Sequence, residues 1–455
     1  HASTTHLQKK EQNLTVNSAA ATPKGFEITV CDLTLNSGQV YDISNEVQDI
    51  KIHESLYQSA FRVEIYIFDP YNMIHAFKLA GNEKINLLIE RVDPLSKEQG
   101  INRKFDLEIY IAEIKNYSTP RPSAKGYTLE CISKHVHLNN SQLLKTSFQG
   151  NTSKLIKNIV KSNLSSEVDI RATSKGNIKG IYPRISPLQG ISWLLRNSYD
   201  NDTPFYFYES PAEGLVLTSY HEILKSKDKH HNTYNNYPMM QTSLLHGITE
   251  SFKEEQQKII KIVSHLNISK LGAALKGAFR SELHKIDISN KTVNKAEYKI
   301  KKDDSNTLNK FSSLNEKMKI NNLPIQDYQN IKNYYISYNT SSFGEFKSYK
   351  GDFDNYHTAT DQSILKSQAH HHKLDTVKQE IVIPGDFTLS SGKIVELDLL
   401  KNADVTEEMV TNDTFKDTIL SGKHLVTGII HHFGKDGYQM NVILKKDSFI
   451  EKVLG

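Results

Sequence analysis

Two regions far apart in the chain alternate apolar and polar residues with a period of two, and that period commits both to β-sheet. In the first, Phe61, Val63, Ile65 and Ile67 alternate with Arg62, Glu64, Tyr66 and Phe68, which fits a strand with one buried and one variable face. Ile85, Leu87 and Ile89 follow the same rule, as do Leu107, Ile109 and Ile111, and Tyr127, Leu129 and Cys131. Asp69-Pro70, Gly81-Asn82, Asp93-Pro94 and Thr119-Pro120 break the runs, and short strands so spaced predict a closed or nearly closed antiparallel barrel. In the second region, Ile381, Ile383, Leu389, Val395 and Leu397 lead to Tyr438, Met440, Val442 and Leu444, which alternate with Gln439, Asn441, Ile443 and Lys445. Lys435-Asp436-Gly437 supplies the glycine that a tight hairpin needs.

At 455 residues the chain is longer than one hydrophobic core serves, so three or four packed units are expected. With 38% hydrophobic and 24% charged residues it reads as globular, and no run of about 18 apolar residues could span a bilayer. Residues 1–24 are rich in Ser, Thr, Asn, Gln and Lys, without the apolar core of a secretory signal, and read as a polar arm. The net charge of +4 is spread among alternating acids and bases, which argues against a dedicated nucleic-acid reader. Cys31 and Cys131 fall in expected strands, where a buried small apolar side chain is favoured over a disulfide.

Between the two strand regions the period changes. Asn151-Thr152-Ser153 precedes Leu155, Ile156, Ile159 and Val160, a capped amphipathic helix. Ser186-Pro187 precedes Leu188, Ile191, Leu194 and Leu195, a second helix with Pro at its first position. Phe205–Tyr208 and Leu215–Leu217 read as a hairpin. The resulting division is an arm (1–24), a first barrel (25–138), a small α+β unit (139–233) and the opening of a second barrel (234–299). An insertion with a helix (300–375) and the remainder of the second barrel (376–455) complete it. Leu245, Gly247 and Thr249 fit an extended edge, 249–264 fits strand or helix, and Phe279, Leu283, Ile286 and Ile288 are expected to continue the second barrel. Residues 300–350 read as loop-rich, and 358–375 as a helix.

No catalytic, cofactor-binding or metal-binding residue is assigned. The runs His230-His231, His370-His371-His372 and His431-His432 are contiguous, and neighbours point about 100° apart on a helix or to opposite faces of a strand, so they do not converge on one ion. His221-Glu222 begins like a zincin helix, but Lys225 stands where the second ligand belongs. The glycines give neither a dinucleotide nor a Walker pattern, and no GxSxG elbow occurs. Glu254-Glu255 and Glu407-Glu408 are adjacent acids on polar runs, expected to be solvated. Gly385-Asp386 and Gly392 read as turn punctuation, one glycine supplying positive φ and one letting the chain re-enter the sheet.

Several phrases resemble a known family. They are Glu54-Ser55-Leu56-Tyr57 ahead of Phe61–Phe68, Gly81-Asn82-Glu83 ahead of Ile85–Glu90, and Pro384-Gly385-Asp386-Phe387-Thr388-Leu389-Ser390-Ser391-Gly392 running into Lys393–Leu397, with the late hairpin across His424–Lys445. Together they resemble the central hub protein of T4-type contractile phage baseplates, in a patchy way from about residue 25 onward. The resemblance implies a mainly β, α+β chain holding two tail-tube-like antiparallel β-barrels, a small α+β domain and an inserted loop-rich region. It implies a non-enzymatic homotrimer without a cofactor, whose six barrels form a pseudo-hexameric ring. The implied partners are the tail-tube ring, the central spike and other baseplate proteins, with DNA only in transit through the channel and no membrane span. The implied location is the tail baseplate of a virion assembled in the host cytoplasm. Two other readings stand beside it. A tail-associated hydrolase acting on host envelope polymer would need two carboxyls across a cleft. A receptor- or carbohydrate-binding barrel would need clustered exposed aromatics, and Trp193, the only tryptophan, falls in a helix stripe where packing is the expected role.

Overall fold

The computed structural model describes residues 25–92, 103–122, 124–175, 177–200, 203–226, 230–237, 256–266, 270–287, 291–299, 307–312, 333–339, 344–345, 359–401 and 415–451. The expected arm at 1–24, the extended edge at Leu245–Thr249 and both acid pairs, Glu254-Glu255 and Glu407-Glu408, lie outside the described residues.

The first alternating region folds as β1 (Phe26–Thr34), β2 (Val40–Asp42), β3 (Val47–Ser55), β4 (Arg62–Asp69), β5 (Lys84–Arg91), β6 (Lys104–Arg121) and β7 (Ala124–Ser133). Its strands are hydrogen-bonded in the order β3-β4-β7-β6-β5-β1-β2, all antiparallel. The buried phase is the one the alternation names: Val63, Ile65 and Ile67 on β4 and Ile85, Leu87 and Ile89 on β5 are essentially inaccessible. Each such side chain contributes about 1.5–3 kcal/mol relative to exposure. Cys31 and Cys131 are buried free thiols in this core.

The α+β unit follows with β8 (Ser147–Asn151), β9 (Val168–Ile170), β10 (Asn177–Ile181), β11 (Phe205–Ser210) and β12 (Gly214–Ser219). Both expected helices form. Thr152–Asn163 is capped by the Asn151 side chain, which accepts from the Ser153 N–H at 3.0 Å. Pro187–Arg196 starts with a capping box in which the Ser186 N–H donates to Gln189 Oε1 at 3.2 Å. Their apolar stripes meet across Gly190, where an added Cβ would lie 2.5 Å from Leu144 Cδ1.

The second region comprises β13 (His230–Asn235), β14 (Lys261–Leu266), β20 (Val377–Pro384), β21 (Ile394–Asp398), β22 (Gly422–Gly434) and β23 (Gly437–Lys446). Its order is β14-β20-β23-β22-β21-β13. A bridge between Asn235 and Lys258, with the Ile259 N–H donating to the Asn235 carbonyl at 2.9 Å, ties the end of β13 to the approach to β14 and closes the ring. Gly437, at φ +103°, follows the two-residue turn between β22 and β23.

The structure differs from the sequence reading in two places. Of His230–Asn235, residues 230–233 are expected in the α+β unit, yet the whole segment is a strand of the second barrel, paired in parallel with β21. Residues 280–299, expected in the second barrel, instead form β15 (Arg280–Asp287) and β16 (Thr292–Lys299), which build a separate three-stranded sheet with β18 (Asn333–Asn339). Alternation fixes which side chains share a face but not which strand lies alongside, so it could not assign these strands to a sheet. The remaining short strands are β17 (Phe311–Ser312), β19 (Gly344–Glu345) and β24 (Ser448–Phe449). Helix Ala359–Leu374 fills the expected place before β20. Among the described residues no helix is long and apolar enough to cross a membrane.

Candidate assembly interface

The two barrels are joined by backbone. β3 pairs antiparallel with β22 in the register Ile50↔Phe433, Ile52↔His431 and Glu54↔Ile429, so the strands of both barrels form one hydrogen-bonded sheet. The first barrel curls back on this seam until Phe26 of β1 meets Phe433 of β22 with ring centroids 5.1 Å apart. Phe105, Phe387 and Tyr438 complete the aromatic cluster, Tyr438 lying 4.2 Å from Phe433. One continuous apolar core therefore serves both barrels.

The segment from Gly385 to Gly392 is built into this seam. The Gly385 N–H donates to the Tyr438 carbonyl at 2.8 Å, and an added Cβ there would sit 2.0 Å from the Tyr438 ring. Gly392 has φ +84° and faces the Tyr208 hydroxyl. Turn punctuation is thus the right account of this motif, with the close approach at Gly385 as an added demand. The Ser391 N–H donates to Glu54 Oε1 at 2.9 Å. Glu54 in turn lies 3.7 Å from His431 Nε2, and His431 Nδ1 is 2.8 Å from the Tyr438 hydroxyl. Acid, imidazole and hydroxyl converge here, yet Glu54 and His431 are 3% and 1% exposed, so no substrate reaches them. The group locks one barrel to the other.

A second buried network ties the α+β unit and helix Ala359–Leu374 to the end of β23. Asp447 Oδ2 accepts from the Tyr220 hydroxyl at 2.8 Å, and Oδ1 accepts from the Leu308 N–H at 3.0 Å and the Ser448 hydroxyl at 2.6 Å. Burial raises the Asp447 carboxyl above its usual range, and the bonds from Ser448, Leu308 and Tyr220 only partly offset this. Lys446 Nζ donates to the Ile419 carbonyl and, at 2.8 Å, to the Ser421 carbonyl; burial lowers it to about 7. His424 is fully buried, its Nδ1 2.8 Å from the Gly422 carbonyl, and burial with the nearby Lys446 charge holds it well below the ordinary imidazole value.

The histidine runs do not converge. His370 packs on the Tyr220 ring at 4.1 Å, and His371 lies between Tyr57 and Tyr206 with burial lowering it to about 4. His431 faces the core, while His432 faces outward and pairs with Asp49 at 2.6 Å. Of His230 and His231 only the backbone is described. Among the described residues no group of three or more His, Cys, Asp or Glu is arranged to hold a metal. His221 and Glu222 sit on the short helix Tyr220–Lys225.

Several charges on the strands of the joined sheet are paired locally. Glu64 is 3.1 Å from His53, Lys115 is 2.7 Å from Glu130 and 3.3 Å from Glu113, and Lys378 is 2.6 Å from Glu380. The hydrogen-bonded order ends at β2 and, past the Asn235–Lys258 bridge, at β14, and these strands expose Val40, Val263 and Leu266. An end strand leaves one row of backbone groups open to pairing with another chain.

No protein-family model and no curated protein matches the chain. Among solved structures, a tail protein from Neisseria meningitidis MC58 is similar over 93% of this chain and 97% of that one, with a TM-score of 0.50 at 12% identity. The chain shares that tail protein's fold. A 43 kDa tail protein of prophage MuSo2 from Shewanella oneidensis is similar over 92% of this chain and 98% of that one, with a TM-score of 0.47 at 11% identity. An E. coli component of the type VI secretion system is similar over 93% and 77% of the two chains, with a TM-score of 0.41 at 8% identity.

Proposed function

We propose that this protein is a structural hub of a contractile tail baseplate, a homotrimer whose six barrels form a pseudo-hexameric ring between a hexameric tail tube and a trimeric spike. One observation carries the reading: two barrels within one chain are fused through β3 and β22 into a single sheet with a shared core. A fused pair is the unit that lets three chains present six similar faces, and a chain whose two end strands differ can close head to tail into a ring. The small net charge of +4 fits the same reading, because a conduit must let DNA slide, whereas a strongly basic lumen would hold phosphates through counterion release. The same part would meet spike and other baseplate proteins in the virion tail and perform no catalysis.

Native mass spectrometry of the purified protein tests this. The expected species has three times the 51.8 kDa chain mass and a ring outline in negative stain. A monomer that persists at high concentration overturns the reading.

A further inference from the structure

A groove of about 560 Å³ runs where the first barrel meets the α+β unit, clear of the seam, and its volume falls in the range of small-ligand sites. Its floor is apolar, with Val136, Ile185 and Leu188. Around them stand Gln58, Ser59, Gln189, Ser192, Trp193 and Arg196. Trp193 is half-buried and held edge-on by Phe148 at 5.6 Å and by Tyr182 at 6.2 Å, so the indole is fixed by its neighbours while still lining the groove. Gln189 spends its amide oxygen on the Ser186 N–H, which leaves the NH2 group as its free end. Arg196 is exposed and forms no ion pair among the described residues, and no acidic side chain lines the groove.

We propose that this groove binds an oligosaccharide bearing a carboxylate. A sugar ring has an apolar C–H face that an indole can cover and a rim of hydroxyls that both donate and accept, as two amides and two Ser hydroxyls do. An apolar side chain from a protein partner would fill the floor but leave those rim groups without partners. The guanidinium presents a planar fork suited to a carboxylate and has no acid within the groove to answer it. The assignment does not depend on the ring reading; it gives a tail part a place to touch an acidic surface polysaccharide.

Because Trp193 is the chain's only tryptophan, its emission reports on this groove alone. The full-length protein is titrated with a trimer of galacturonic acid, with the same trimer as its neutral methyl ester, and with acetate. The expected result is a saturable change in emission with the acidic trimer. Its affinity should fall about tenfold or more for the ester and for Arg196→Gln, since one charge-assisted contact is lost. Ser192→Ala should weaken binding less, and both variants should match the parent in thermal unfolding. The proposal is overturned if no saccharide changes the emission up to about 10 mM. It is also overturned if acetate alone reproduces the change, or if Arg196→Gln binds the acidic trimer as tightly as the parent.

Discussion

Gly385→Ala tests how tightly the seam is built. The new methyl would lie 2.0 Å from Tyr438 Cδ1 and 2.1 Å from Cγ, inside any tolerable contact, so either the ring or the strand end must move. The ring has nowhere to go. Phe433 stacks on it at 4.2 Å, Phe387 meets it at 4.9 Å, and its hydroxyl is held by His431 Nδ1 at 2.8 Å. The strand cannot withdraw without stretching the 2.8 Å bond from the Gly385 N–H to the Tyr438 carbonyl. Overpacking in a well-filled core costs about 1–3 kcal/mol, and with both escapes blocked the upper end applies. The entropic gain from replacing glycine offsets at most about 1 kcal/mol. Urea unfolding of Gly385→Ala should therefore show a loss of about 2–3 kcal/mol, provided the m-value is unchanged. Tyr438→Leu removes the obstructing ring, so a double-mutant cycle should show the two changes coupled by about 1–2 kcal/mol. A Gly385→Ala protein within about 0.5 kcal/mol of the parent, or strict additivity, would refute the account of this contact.

Lys446 makes stability depend on pH on the alkaline side. Its folded value of about 7 lies below the ordinary lysine value of 10.5, so the unfolded chain binds more protons between those limits and stability rises with pH across that window, by on the order of 4 kcal/mol. In Lys446→Met the slope of unfolding free energy between pH 7 and about 10 should flatten, and an unchanged slope would count against the burial argument. On the acid side, His371 is lowered to about 4, so the unfolded state takes up protons first and stability falls as pH drops from 6.5 toward 4. Asp447, raised by burial, works in the opposite sense. His371→Leu should raise the apparent Tm at pH 5 relative to pH 8, as read by scanning fluorimetry. Cys31 is pushed up to about 12 and Cys131 higher still, both by burial, so neither thiol should react with DTNB at pH 8 until the chain is unfolded. Rapid labelling of the native protein would show that the first barrel opens.

Local signals were the most legible in the sequence. Asn151 and Ser186-Pro187 mark helix starts because a cap acts within one turn, and Gly437 marks a hairpin because the residue that follows its turn takes a φ of +103°. Strand faces were legible for the same reason. Partner choice was not. Ser55 and Thr427 hydrogen-bond across a separation of 372 residues, and nothing in either strand names the other. β15 and β16 escape correct placement on the same ground, since their alternation would serve either sheet equally well, while β18 lies in the stretch whose composition reads as loop-rich. The groove at Trp193 reads as packing alone in the sequence, because a stripe position does not reveal that four segments leave a hollow beside it.

One signal in the sequence marks where distant segments must meet. Polar residues occupy the buried phase of otherwise apolar strands, and four of them are Glu54 after Ile50 and Ile52, Gln379 between Val377 and Ile381, His431 between Ile429 and Phe433, and Lys446 after Val442 and Leu444. Burying such a group without a partner costs several kcal/mol, so its presence requires an answering group brought from elsewhere in the fold. The structure gives each residue a partner, although Glu54 Oε2, Gln379 Oε1 and His431 Nε2 make no hydrogen bond among the described residues. Glu54 accepts from the Ser391 N–H, Gln379 donates to the Leu420 carbonyl, His431 meets the Tyr438 hydroxyl, and Lys446 reaches the carbonyls of Ile419 and Ser421. Three of the four hold a connecting segment, 385–392 or 417–421, against barrel strands, and the fourth braces β22 against β23. Apolar residues in those places would fill the same volume, but they would set neither the register of the connections nor the angle between the barrels. In the proposed ring that constraint would have a use, since any play between the barrels of one subunit would be multiplied at every interface.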